Sequence, residues 1–200
     1  MAGRPRRIED AVILRALVEV MGRVGPAGLT LAAVAQEVGL VPGTLVQRFG
    51  SKRGMLLALA EHSAQDARGH AERAGAEHTS PLDALEALVA ETHAPLASPT
   101  AFANHLAFLC ADLVDPELYR LALAAQQAQT EAVRTLLDRA ADSAGLLPGT
   151  DTAALTAAVQ AAVNGAAMLW AVDREGTLAD RQRQALHFTL APYRKDTPRT

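Results

Sequence analysis

Apolar residues recur at helical spacing along nearly the whole chain, and no stretch sustains the alternation of a strand. Leu14, Leu17, Val18 and Met21 fall at i, i+3, i+4 and i+7. That spacing predicts an amphipathic helix over 7–24, closed by Gly25-Pro26. Leu31, Val34, Ala35 and Val38 form the buried side of a second helix, with Thr30 placed to cap it. Gly39 offers the left-handed turn residue, and Pro42 opens a short third helix ending near Phe49-Gly50. Ser51 caps a long fourth helix reaching about Gly75. Breakers at Ser80-Pro81, Ser98-Pro99, Asp115-Pro116, Leu147-Pro148-Gly149 and Glu175-Gly176 divide the remainder into segments 82–94, 100–113, 117–143, 151–173 and 178–192. The pattern predicts an all-α protein of about nine helices.

The two short helices around Gly39, followed by Phe49-Gly50-Ser51-Lys52, have the outline of a helix-turn-helix, whose second helix lies in a DNA major groove. This gives a DNA-binding domain over 1–54, a larger helical body over 55–193 and a flexible tail over 194–200. Charge supports the division. The chain carries −3 overall, but residues 1–53 hold eight Arg/Lys against four acids, while the other 147 hold eleven against eighteen. A basic end on an acidic body suits contact with a polyanion at one end only.

The single cysteine, Cys110, excludes an internal disulfide and fits a reducing, cytoplasmic setting. Glu9 and Asp10 interrupt the basic start before any signal-peptide core forms. Thr152–Val172 is uncharged and bilayer-long, yet nine of its 21 residues are Ala and polar residues recur along it. It is read as a helix buried in protein, not in a membrane.

Enzymatic chemistry finds little purchase. Nucleophile elbows and phosphate loops are absent, and Glu91-Thr92-His93 is one residue too close for a bundle-type metal pair. His62, Asp66 and His70 share one helical face, but two turns place the outer pair about 12 Å apart, too far for one ion. No catalytic residue, metal or cofactor is expected. In the body, Phe102, Leu106, Phe108, Leu109 and Trp170 offer apolar walls for a pocket. His93, Asn104, His105 and Cys110 offer polar groups to orient a small, mostly apolar effector. Taken singly, Cys110 reads as a small buried hydrophobe.

The N-terminal pattern resembles that of TetR-family transcriptional regulators. The residues that carry the resemblance are Thr30, Gly39, Gly43-Thr44-Leu45-Val46, Phe49 and Ser51-Lys52, within about residues 8–58. The resemblance implies a bacterial, ligand-responsive repressor that is released from a palindromic operator by its effector. It implies a homodimer formed by helices 151–173 and 178–192. It also implies an exposed face of helix three carrying Pro42, Gly43, Thr44, Gln47 and Arg48 towards DNA. Gln pairs with adenine, Arg with guanine, and Thr meets a thymine methyl or a phosphate. Thr30 and Lys52, at helix N-termini, are expected on phosphates, and Arg6 and Arg7 in an arm along the duplex. Two positions depart from the family: Val46 stands where Tyr is usual, and Val41 where Ser or Thr usually caps the third helix.

Overall fold

The computed structural model describes residues 8–195. Over these the chain is all-α: α1 (Asp10–Gly28), α2 (Leu31–Glu37), α3 (Pro42–Phe49), α4 (Lys52–Glu77), α5 (Pro81–His93), α6 (Pro99–Asp112), α7 (Pro116–Asp142), α8 (Thr152–Asp173) and α9 (Leu178–Leu190). Single 3-10 turns follow α5 (Ala94–Leu96) and α9 (Ala191–Tyr193).

The helix starts are written in side chains. A hydroxyl accepts from an N–H three residues on at Thr30 (3.1 Å), Ser51 (3.0 Å), Ser80 (3.3 Å) and Ser98 (3.1 Å). The Asp115 and Asp151 carboxylates do the same for α7 and α8. Each cap satisfies a backbone donor that helix geometry leaves free. α3 begins at Val41 with no side-chain cap, and Pro42 fills a position where a missing N–H costs nothing. At the predicted end of α1, Gly25 turns to φ +66° and one further helical turn follows through Pro26 to Gly28.

Three apolar clusters organise the packing. In the first, Ile13, Leu17 and Val20 of α1 meet Val34 and Ala35 of α2, Leu45 of α3 and Met55 of α4, and Phe108 of α6 joins them. The second and largest gathers Leu85, Leu136, Leu137, Leu155, Val159 and Leu186 from α5, α7, α8 and α9. The third is small: Phe102, Ala167, Trp170 and Leu178, with the Phe102 and Trp170 rings edge-on at 6.4 Å.

The packing refines two expectations. Segment 152–172 is a helix, but the chain does not enclose it: only 33% of its most apolar window is buried. Leu155, Val159, Val163, Ala167 and Trp170 face inward, whereas Met168, Leu169 and Val172 are 46%, 64% and 78% exposed. A helix that is apolar all round needs neighbours on every side, and here its packing partners occupy one side only. The tail is also tied further than expected. The Leu147 N–H donates to the Tyr193 carbonyl (2.8 Å) and the Lys195 N–H to that of Gly145 (3.3 Å), so Leu146 and Arg194 form an antiparallel bridge.

Candidate nucleic-acid interface

The turn between α2 and α3 is closed by backbone. The Leu40 N–H donates to the Ala35 carbonyl (2.8 Å) while Gly39 takes φ +67°, a conformation favoured by glycine. Leu45 anchors α3, fully buried in the cluster with Val34, Ala35 and α1, and Phe49 packs beside it. On the opposite face Pro42, Gly43, Val46 and Gln47 are exposed and Thr44 is half-buried. A short helix held by one side and bare on the other is the form a groove-reading element requires.

The cations are arranged differently from the sequence expectation. Arg48 turns back onto α1, where its Nη1 donates to the Ile8 carbonyl (2.6 Å) and to Asp10 (3.0 Å). It pins α3 to the start of α1 instead of standing free on the reading face. Lys52 donates its Nζ to the Pro26 carbonyl (2.8 Å), which ties the start of α4 to the end of α1. Thr30 is exposed, with its hydroxyl engaged as the α2 cap. Arg6 and Arg7 lie outside the described residues.

Arg53, which sequence reasoning passed over, and Asn104 and Phe108, which it placed in a pocket, tie this unit to the body. Arg53 meets both oxygens of Asp115 (3.0 and 3.1 Å from Nη2) and also Glu117 (3.0 Å). The Glu117 and Asp115 carboxylates raise the guanidinium further above its ordinary value. The Leu118 N–H, ahead of Arg53, holds the Asp115 carboxyl below its own. Asn104 Nδ2 donates to the Gly22 carbonyl (2.8 Å), and Phe108 enters the first cluster. Gly54, three residues past Ser51, packs so closely beneath α3 that a Cβ there would collide with the Phe49 carbonyl oxygen. A glycine early in a helical pattern is the sequence signal for such an approach.

The candidate effector residues divide. Phe102 and Trp170 are buried in mutual contact, and Leu106 packs beside them. His93 is buried, its Nδ1 3.0 Å from the Val89 carbonyl; burial pushes its pKa down, so the neutral ring donates from Nδ1. Asn104 is turned to α1. His105, Leu109 and Cys110 are exposed, because they follow the outer side of α6; Cys110 is therefore not the buried hydrophobe its type suggests. On α4, His62 and Asp66 approach to 3.4 Å, and the side chain of His70 lies outside the described residues.

The described residues thus carry a helix-turn-helix at one end of an all-helical body. Residues 13–59 match the family model of bacterial regulatory proteins of the tetR family. The chain is 32% identical over 118 residues to the HTH-type transcriptional regulator BetI of Paraburkholderia xenovorans, and equally to that of Paraburkholderia phytofirmans. Each match covers 58% of this chain and spans 60% of the relative's length. Among solved structures, SmeT, the repressor of the Stenotrophomonas maltophilia multidrug efflux pump SmeDEF, shares the fold with a TM-score of 0.66 at 23% identity, over 97% of this chain and 96% of SmeT. FadR from Bacillus subtilis, in complex with stearoyl-CoA, gives 0.66 at 16% identity, over 92% and 98%. The chain is thus similar to tetR-family regulators in its helix-turn-helix unit, and shares its all-helical fold with the solved structures.

Proposed function

We propose that this protein is a cytoplasmic, ligand-responsive repressor that binds a palindromic operator as a homodimer and leaves it when a small, mostly apolar effector binds the body. The observation that carries the reading is α3, anchored through buried Leu45 with Pro42, Gly43, Val46 and Gln47 presented outward. Gln47 is the polar reader on that face, suited to adenine N6/N7. Val46 adds an apolar surface of the kind that meets a thymine methyl.

The functional division follows the same lines: 1–54 for DNA, 55–193 for effector and dimerisation. Met168, Leu169 and Val172 of α8, with Phe188 of α9 at 66% exposure, form an apolar face that supports pairing with a second copy. Two recognition helices about 34–36 Å apart would then address successive turns of one operator. Effector and DNA must prefer different arrangements of that dimer, and the coupling is reciprocal.

The test is selection of bound genomic fragments followed by mobility shifts. Wild type shifts the selected fragments, and Gln47→Ala relaxes specificity at one base position at a cost of about 1–3 kcal/mol. A protein that shifts none of them refutes DNA binding.

A further inference from the structure

Several cations of the N-terminal unit are engaged from inside the protein. Arg23 pairs with Glu37 at 2.6 Å and Arg48 with Asp10 at 3.0 Å, and both acids belong to the same unit. Lys52 gives its Nζ to the Pro26 carbonyl. Arg53 differs, because its acids belong to the body. Its Nη2 meets both oxygens of Asp115 and its Nη1 meets Glu117, at the start of α7.

That contact is lopsided. The Asp115 carboxylate already accepts from the Glu117 N–H (3.0 Å) and the Leu118 N–H (3.1 Å) as the cap of α7. Its place is therefore fixed by its own helix, with or without a cation nearby. The Arg53 side chain is 49% exposed, and an ion pair so open to water contributes little to folding. What the contact does change is the availability of the guanidinium. Three carboxylate oxygens fill the planar fork through which arginine grips phosphate. Position matters as well. Arg53 is the second residue of α4, directly after Lys52, and the next residue, Gly54, packs beneath the Phe49 carbonyl at the end of α3. The held cation stands at the foot of the helix that presents Gln47.

We propose that Asp115 and Glu117 stand in for DNA phosphate: Arg53 leaves them for the sugar-phosphate backbone when the operator binds, so the body holds one backbone contact in check. The inference rests on the DNA-binding reading above and adds to it a contact and a means of control. Carboxylate and phosphate offer the fork the same charge-assisted hydrogen bonds, so the exchange replaces one contact by another of its kind. An arrangement of the body that presses the α6–α7 corner on Arg53 weakens binding, and one that withdraws it strengthens binding. Either acts on all sequences alike, since a phosphate contact carries no base information.

A mutant cycle on the full-length protein tests this by mobility shift on a selected fragment, at salt concentrations from about 50 to 200 mM. The proteins are wild type, Arg53→Gln, the pair Asp115→Asn with Glu117→Gln, and all three changes together. Asparagine caps a helix about as well as aspartate, so α7 is kept, and thermal melting checks each protein. Arg53→Gln binds every fragment more weakly and lowers the salt slope by about 0.9. Neutralising the two acids strengthens binding about fivefold when Arg53 is present, and less than about twofold when Arg53→Gln is present too. A gain that persists in full alongside Arg53→Gln overturns the proposal, because it would then be general charge. Weaker binding by both sets of variants overturns it, since the contact would then only hold the unit in place. An unchanged salt slope in Arg53→Gln, or a variant that melts well below wild type, also overturns it. Wild type that shifts no fragment refutes the DNA-binding reading itself; the other outcomes, seen while wild type binds, refute the exchange alone.

Discussion

Gly54→Ala sets two physical expectations against each other. Helix propensity alone favours the substitution by about 0.8–1.0 kcal/mol in a helix interior, and reduced freedom of the unfolded chain acts in the same direction. In the folded protein the new Cβ would meet the Phe49 carbonyl, and that obstacle is backbone at the end of α3, not a side chain free to swing away. A carbon beside a carbonyl oxygen settles near about 3.3 Å, so the α3–α4 corner must open by more than about 1 Å. Overpacking of this kind costs about 1–3 kcal/mol. The strain exceeds the propensity gain, and Tm is expected to fall, at about 2–4 °C for each kcal/mol in a chain of this size. Operator affinity falls with it, because Phe49 carries the C-terminal end of the recognition helix. Gly43→Ala is the control: nothing lies within 4 Å of a Cβ there, so it melts at or above wild type while losing operator affinity if the backbone meets DNA at that point. The assays are calorimetric melting at matched protein concentration and mobility shift on a selected fragment. A Gly54→Ala protein that melts as high as wild type would refute the reasoning.

Three further outcomes are expected. Leu169→Glu together with Phe188→Glu places charges on the exposed face of α8 and α9, so the protein sediments as a monomer and loses operator affinity; a dimer that survives both places the pairing surface elsewhere. Ala144 holds φ +56° after α7, so Ala144→Gly relieves a left-handed conformation and raises stability by about 1 kcal/mol, read by denaturant midpoint with unchanged slope. Burial lowers the His93 pKa, so the unfolded chain takes up a proton there before the folded one does. The His93 contribution is therefore intact above about pH 6.5 and lost as pH falls below it. Melting from pH 7.5 to 5.5 should decline less steeply in His93→Asn than in wild type.

The helices were legible because their starts are local chemistry: Ser80-Pro81, Ser98-Pro99 and Asp115-Pro116 each place a capping oxygen beside a residue that can only begin a helix. The helix-turn-helix was legible for a similar reason, since Gly39 and Leu45 satisfy needs that arise within ten residues. What lay hidden depends on partners far along the chain. Arg48 looks like a base reader until Ile8 and Asp10 arrive 40 and 38 positions away. Arg53 was one more surface charge until α7 brought Asp115 beneath it. The outward row of α8 has the same composition as the inward row, so only the packing shows which is covered.

The three ties from α6 and its following turn to the N-terminal unit bear on how displacement travels. Asn104 holds α1 through Gly22, Phe108 enters the first cluster one turn later, about 6 Å along the axis, and Asp115 grips Arg53 just beyond the helix. A body pushed against one such point can make it pivot; gripped at three, it can only be carried. Motion of α6 would thus reach the N-terminal unit as swing and translation of a whole piece, leaving its internal geometry intact, and body residues not touching those points are free to diverge without retuning what the protein reads.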